Sequence, residues 1–260
     1  MDFPLIPIEQ FHIFLIVTSR VAGFVGAIPV VIAGQTPAQV KVAIVFTVSL
    51  LLFPLMAGGV TAADFSPVPF TLLLVSELLL GLLLGLIARL IFTAVEFGAT
   101  VIGYQMGFAA ANVFDPSGQR QVALISQFQN VFAILIFLAI DGHHVFLQTA
   151  VISYELLPPG QFDFSGEAIP YLMELGSHMF AIGAQFSAPI LAVLLLSGLI
   201  LGVLARVFPQ LNVFLLSFPI NIGTAFIVMA LTLSMAASLI SREFDSLGER
   251  FVTLLDFLNP

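Results

Sequence analysis

Six long apolar runs, separated by short polar or turn-rich stretches, constrain the fold of this chain more than any other feature of its sequence. The runs are residues 11–33, 40–57, 70–101, 128–140 with a continuation to 154, 179–207 and 213–240. A helix that crosses a bilayer needs about 20 consecutive apolar residues. The pattern therefore predicts an all-α, polytopic membrane protein of about six hydrophobic helical segments, some of them paired as hairpins.

The composition agrees with a membrane protein and excludes several other classes. Hydrophobic residues make up 60% of the 260 residues and charged residues only 8%, whereas soluble domains average about 45–50% and about 25%. The formal net charge of −8 reflects a shortage of Lys and Arg, so no basic patch is available to bind nucleic acid. The chain has no cysteine, which excludes disulfides and thiolate metal sites.

The runs follow one another without a separate soluble region, so residues 1–260 are predicted to form one helical domain. Residues 242–260 are a charged stretch with a short amphipathic end, which we expect to be a flexible tail. The basic residues Lys41, Arg120 and Arg206 lie in or beside the first, third and fifth connections and favour placing these inside. Arg242 and Arg250 oppose that orientation, so the number of bilayer crossings stays open.

The third run carries a stripe of charges and glycines. Its members are Glu77, Gly81, Gly85, Arg89 and Glu96. At about 100° per residue they fall within roughly 120° of helix surface. Charges are costly in hydrocarbon, and glycines permit close helix approach. The stripe is interpreted as a helix-packing and subunit-contact face, with the wall of an aqueous conduit as the alternative.

Residues 103–121 differ from the apolar runs because they combine three glycines, a Pro and several amide side chains. Glycine and proline argue against an uninterrupted helix. Irregular backbone at membrane depth survives only where protein or a water-filled cavity satisfies it. We expect this segment to be a loop that enters a pore, with an ordinary surface loop as the alternative.

The segment Asp-Gly-His-His at residues 141–144 contains potential metal ligands in Asp141, His143 and His144. Adjacent histidines point in different directions on a helix, and no HExxH-type spacing accompanies them. A turn followed by a helix start is the better interpretation, and no metal site is predicted. No nucleophile, phosphate-loop or dinucleotide motif stands in a suitable context, so neither enzymatic activity nor a cofactor is predicted.

Several motifs resemble one family over essentially the whole length. They are Arg-Val-Ala-Gly-Phe-Val-Gly-Ala-Ile-Pro at residues 20–29, the glycine series into Asp115 and Pro116, the segment 141–144, and Leu-Ala-Arg-Val-Phe-Pro-Gln-Leu-Asn-Val-Phe from residue 204. The last is the most specific in an apolar chain. Together they resemble the FliR/SctT family of type III export proteins. Asn221 stands where many relatives have Lys.

The resemblance implies a subunit of the flagellar export gate in the bacterial inner membrane, at the flagellar basal body. It implies assembly with FliP, FliQ and FlhB homologues, contact with lipid, and passage of unfolded export substrates. The loop that plugs the channel in this family matches residues 103–121, here represented by Gly103, Gln105, Met106, Gly107, Phe108, Phe114, Asp115 and Pro116. The motif after residue 204 implies subunit contacts at Arg206, Pro209, Gln210 and Asn212.

Three other functions stay open. An injectisome-type export subunit would share the family motifs, but the segments 115–116 and 141–144 together favour a flagellar member. A stand-alone secondary transporter predicts an internal repeat, and none is found in the sequence. An intramembrane enzyme would need Asp141, His143 and His144 for activity but not for assembly.

Overall fold

The computed structural model describes residues 8–27, 37–56, 66–107, 120–161, 163, 166–210 and 212–259. These residues form helices and connecting turns, with no β-strand among them. The helices are α1 (Ile8–Ala27), α2 (Ala38–Met56), α3 (Pro67–Gln105), α4 (Arg120–Ala139), α5 (Gly142–Leu156), α6 (Ala168–Val207), α7 (Val213–Asp245) and α8 (Leu247–Leu258). The chain is an all-α polytopic membrane protein, as the apolar runs predicted.

Each of the six apolar runs contains at least one helix, but not every run has the length of a simple span. Helices α1, α3 and α6, and the stretch Leu215–Leu258, are long and apolar enough to cross a membrane. The fourth run is broken between α4 and α5, and the pair counts as a fifth span only if taken together. The apolar part of α2, Ala38–Pro54, is shorter. The described chain therefore offers four or five candidate spans rather than six.

Two helices are much longer than a bilayer requires. Helix α3 has 39 residues and α6 has 40, which correspond to lengths of about 58 and about 60 Å at 1.5 Å per residue. The hydrocarbon core of a bilayer is about 30 Å thick. Unless the helices tilt strongly, about half of each must lie outside the hydrocarbon core.

Contacts divide the chain into two compact units, where the sequence predicted one domain. The first unit contains α1, α2, α3 as far as Leu90, α5, the start of α6 as far as Leu175, and α8. The second contains α3 from Ile91, α4, α6 from Gly176, and α7 as far as Phe244. Each unit is therefore assembled from segments that are far apart in the sequence.

In the first unit, α1 and α3 approach each other so closely that their backbones touch. A Cβ added to Gly23 would lie 2.8 Å from the backbone nitrogen of Leu82, and one added to Gly81 would lie 2.9 Å from that of Phe24. At Gly85 an added Cβ would meet the Cβ of Ala27. Only glycine fits these positions, so the glycines of α3 form an intrachain helix-packing face.

An aromatic cluster joins three helices of the same unit. The rings of Phe24 in α1, Phe146 in α5 and Phe251 in α8 lie 4.9 to 5.6 Å apart between centroids. Stacked and edge-to-face pairs at such distances stabilise a core beyond their buried area. Phe251 is fully buried, so α8 is part of this core.

The region from residue 242 differs from the flexible tail that its charge predicted. Helix α7 continues to Asp245 and α8 follows after Ser246. The apolar face of α8 is buried, and it consists of Leu247, Phe251, Leu254, Leu255 and Leu258. Their spacing is the i, i+3, i+4 pattern of an amphipathic helix, and burying this face outweighs the charges that suggested a solvated tail.

The second unit has its own close helix contact and its own aromatic cluster. A Cβ added to Gly98 in α3 would lie 2.6 Å from the carbonyl oxygen of Gly183 in α6. The rings of Phe92, Phe137 and Phe244 pack together with centroids 5.0 to 5.8 Å apart. The two units thus use the same packing chemistry.

We predict that Gly23→Ala destabilises the protein whereas Gly26→Ala does not. Gly23 faces the backbone of α3, while a Cβ on Gly26 would meet nothing within 4 Å. The first change should lower the free energy of unfolding by about 1 to 3 kcal/mol through overpacking, and the second should raise it by up to about 1 kcal/mol through helix propensity.

Circular dichroism of the full-length chain in detergent measures both changes, since the helical signal needs neither the tryptophan nor the cysteine that this chain lacks. Equal unfolding temperatures for the two variants would contradict the close packing of α1 against α3.

Candidate functional site: a buried ion pair and the end of α3

A buried ion pair connects α1 to α3 in the first unit. The Nε atom of Arg20 donates a hydrogen bond to Oε2 of Glu77 over 2.6 Å. The two side chains are only 2% and 1% exposed. Neither charge could lie in hydrocarbon or in a protein core without a partner, so this pair fixes the rotational setting of one helix against the other.

The remaining donors of Arg20 bind the C-terminal end of α5. Its Nη1 donates to the carbonyl oxygen of Ser153 over 2.8 Å, and its Nη2 donates to that of Leu157 over 3.0 Å. The guanidinium also lies over the ring of Tyr154, 4.0 Å from the centroid. The last carbonyls of a helix have no partner within it and carry partial negative charge. Arg20 therefore caps α5 as well as pairing with Glu77.

The second oxygen of Glu77 extends the network to the turn after α5. Its Oε1 accepts a hydrogen bond from the backbone nitrogen of Gly160 over 3.2 Å. Gly160 has φ of 80°, a left-handed conformation that glycine adopts without steric cost. The hydroxyl of Tyr154 donates to the carbonyl oxygen of Val17 over 3.2 Å. One buried cluster thus joins α1, α3, α5 and the turn at residue 160.

The structure separates the five members of the charged stripe. Glu77, Gly81 and Gly85 are buried against α1, whereas Arg89 and Glu96 are exposed and have no ion-pair partner among the described residues. A four-residue step advances about 400° around a helix, so the face drifts by about 40° per step. Over the three steps from Glu77 to Arg89, this rotation turns the side chains away from α1.

The charge pattern of the third apolar run indicated Glu77 but not its partner. The available signal was the presence of one cation in the first apolar run and one anion near the start of the third. Opposite charges within membrane segments commonly pair with each other, which would have directed attention to Arg20. The contacts of Arg20 with the α5 carbonyls could not be predicted from the sequence, because every residue has a backbone carbonyl oxygen.

The segment predicted as a loop begins later than residue 103. Gly103 and Gln105 belong to α3, and the helix ends in a turn at Met106 and Gly107. Gly107 has φ of 96°, and its nitrogen donates to the carbonyl oxygen of Tyr104 over 3.1 Å. Left-handed glycine is the common way to end a helix. Gly103 is buried within α3, so a glycine in the sequence did not by itself mark the end of the helix.

The turn at the end of α3 lies against α7 within the second unit. Met106 is fully buried, and a Cβ on Gly107 would lie 3.0 Å from Cδ1 of Phe218. Glycine is favoured there by its backbone angle, and a larger residue would also require the ring of Phe218 to shift. Phe108, Phe114, Asp115 and Pro116 lie outside the described residues.

The predicted contact residues at and after the end of α6 are exposed. They are Arg206, Pro209, Gln210 and Asn212. Asn212 precedes α7, and its Oδ1 accepts a hydrogen bond from the backbone nitrogen of Leu215 over 3.2 Å, which is an N-cap. Farther along, Oδ1 of Asn221 accepts from the hydroxyl of Ser197 over 2.9 Å. An uncharged interhelical bond therefore occupies the position where Lys was expected from relatives.

The structure brings the side chains of Asp141, His143 and His144 together. One ligand atom from each lies within 4.8 Å of the others. Sequence analysis expected the two histidines to diverge, but their rings lie 4.2 Å apart between centroids. The helix begins only at Gly142, so the geometry of its first turn allows all three side chains to converge.

The fold and the buried network define a class: helical, multi-span membrane proteins held together by glycine contacts and by an ion pair in the core. The chain belongs to the family described as bacterial export proteins, family 1, whose model matches residues 11–247.

Curated relatives carry the name flagellar biosynthetic protein FliR. The protein of Bacillus subtilis (strain 168) is 33% identical over 256 residues, which cover 95% of this chain and 96% of that one. That of Pectobacterium carotovorum subsp. carotovorum is 32% identical, with 88% and 89% covered. The Escherichia coli (strain K12) protein is 28% identical, with 92% and 90% covered. The resemblance seen in the motifs therefore extends over nearly the full length.

We predict that Glu77→Gln lowers the free energy of unfolding by about 3 to 5 kcal/mol, because it leaves the charge of Arg20 buried without a counterion. The matched control is Glu96→Gln, which neutralises an exposed carboxylate on the same helix and should change the stability of the isolated chain by less than about 0.5 kcal/mol.

Denaturation of the full-length chain in mixed detergent, followed by circular dichroism, measures both variants. The double variant Arg20→Gln/Glu77→Gln should be more stable than the sum of the two single changes implies, because residues in one network couple. Additive effects would contradict the ion pair.

Proposed function

We propose that this chain is a subunit of the flagellar type III protein-export gate in the bacterial inner membrane, at the flagellar basal body. It assembles with FliP, FliQ and FlhB homologues and helps to form and to plug the channel for unfolded flagellar proteins. The observation that carries this proposal is the full-length similarity to proteins named flagellar biosynthetic protein FliR. These names also favour the flagellar over the injectisome-type function. The role requires no catalytic group.

Exposed apolar surface supports assembly with other subunits. On α6, Leu195 and Leu199 are 63% and 66% exposed, and Gly198 and Gly202 have no heavy atom within 4 Å of an added Cβ. Their spacing places them on one face of the helix. Because α6 is about twice as long as the hydrocarbon core is thick, lipid covers only part of the helix as a whole. Neighbouring subunits would cover the rest, in the manner of small-residue helix interfaces.

Two charges on α3 support a partner of defined chemistry. Arg89 and Glu96 are exposed and lie seven residues apart, which corresponds to about 10 Å along the helix. Both are isolated in an otherwise apolar surface, where a charge costs several kcal/mol in lipid. A neighbouring helix that presents an acid and a base at matching positions would satisfy both. We assign these two residues to a subunit contact.

The end of α3 supports the position of the plug. The helix ends at a glycine that its left-handed conformation favours and that lies against Phe218. From there the chain reaches α4 at Arg120 through the segment that resembles the family's plug. A helix end that is fixed in this way can hold one end of the plug segment in place, both while the plug closes the channel and while it moves out. We therefore assign the plug to residues 108–119, shorter at both ends than the sequence indicated.

We predict that deletion of residues 108–114 makes the membrane leaky to small ions while the complex still assembles. Gly107 is retained, so that α3 can end as it does in the full protein. The control replaces the same seven residues with Gly and Ser, which preserves the length but removes the side chains. Ion conductance, motility and co-purification with FliP and FliQ homologues are measured together.

A leak in both variants would indicate that side chains close the channel, and a leak in the deletion alone would indicate that length suffices. A tight membrane with normal motility and an intact complex in both would contradict the plug.

We also predict that Gly202→Leu prevents co-purification with partner subunits without lowering the stability of the isolated chain. The position is open within the described chain, so the new side chain meets no described residue and would obstruct a subunit that packs on this face. Gly81→Leu is the contrasting variant, because it pushes α3 away from α1 and should destabilise the chain itself. Unchanged association of the Gly202→Leu protein would remove this face from the proposed interface.

A further inference from the structure

A cluster of three metal-ligating side chains stands at the start of α5, separate from the buried ion pair. Oδ1 of Asp141 lies 3.7 Å from Nδ1 of His144, and one ligand atom from each of Asp141, His143 and His144 lies within 4.8 Å of the others. All three side chains are exposed. A solvent-borne ion can therefore reach them without any opening of the fold.

Asp141 occupies the N-cap position of α5, but its carboxylate does not cap the helix. An Asp that precedes a helix usually caps it by accepting hydrogen bonds from the first backbone N–H groups. Asp141 makes no such bond and instead faces His144. Its backbone, at φ of 57°, adopts the left-handed conformation that directs the side chain there. The carboxylate of Asp141 therefore lies beside the imidazole rings of His143 and His144 and does not bind the first backbone N–H groups of α5.

The spacing suits a small tetrahedral ion. With metal–nitrogen bonds of about 2.0 to 2.1 Å, neighbouring ligand atoms around tetrahedral zinc lie about 3.4 Å apart. The separation between Asp141 and His144 is 3.7 Å and all three ligand atoms lie within 4.8 Å of one another, so rotations of these exposed side chains would bring them to coordination distance. Two nitrogens and one oxygen favour Zn²⁺, Ni²⁺ or Cu²⁺ over Mg²⁺ or Ca²⁺, which prefer oxygen ligands.

We propose that Asp141, His143 and His144 form a surface site for one divalent transition-metal ion. Three protein ligands leave a fourth position for water or for a ligand from another molecule. The ion would hold the first turn of α5, whose opposite end is capped by Arg20. This site is independent of the proposed export function and needs no partner subunit to form.

The test is equilibrium dialysis of the full-length protein in detergent against Zn²⁺ and against Ni²⁺, with an affinity tag that contains no histidine. The wild-type protein should bind one ion per chain in the micromolar range and should ignore Ca²⁺. Asp141→Asn removes the carboxylate but tolerates the left-handed backbone, and His143→Ala and His144→Ala remove one nitrogen each. Each change should weaken binding about tenfold or more, equivalent to at least about 1.4 kcal/mol.

The matched control is His178→Ala, since His178 is partly exposed and pairs with Glu243 in the second unit, 3.1 Å away. It should bind Zn²⁺ as the wild-type protein does. The proposal is overturned if the wild-type protein shows no saturable binding, or if the His143→Ala/His144→Ala protein binds with unchanged affinity.

Discussion

The contact between Arg20 and Glu77 is the interaction on which the first unit depends. A guanidinium in an apolar interior needs hydrogen-bond partners, and Arg20 donates to a carboxylate, to the hydroxyl of Ser153 and to two backbone carbonyls at the end of α5. Helices that are far apart in the sequence thereby acquire a fixed relation. The glycines beside the pair complete the arrangement, since their lack of side chains lets the backbones of α1 and α3 come into contact.

In this arrangement the buried polar groups determine which helix positions face each other, and the apolar groups hold the helices together. Apolar surface alone would let helices slide past one another, because lipid chains are as apolar as leucine and offer no preference for one register. A buried charge pair has one position at which both partners are satisfied. Once that position is reached, the ring cluster around Phe24 and the apolar face of α8 can pack against a defined surface.

The helices could be predicted from the sequence because apolar runs leave few alternatives in a membrane protein. The buried role of Glu77 followed from the same logic. Two features could not be predicted. The packing of α8 depends on a partner surface contributed by residues more than a hundred positions earlier, and the exposure of Arg89 depends on which face of α3 another helix covers. Charge at Arg242 and Arg250 indicated solvent, whereas the leucines between and after them determined the structure.

Because Phe251 completes a core begun by Phe24, the first unit has a consequence for synthesis. A ribosome makes α1 and α5 well before α8, so the part of the Phe24 surface that Phe251 covers stays open until α8 has been made. During that interval the membrane or a helper protein must shield it. The order of translation therefore makes the docking of α8 the step that closes the core of this unit.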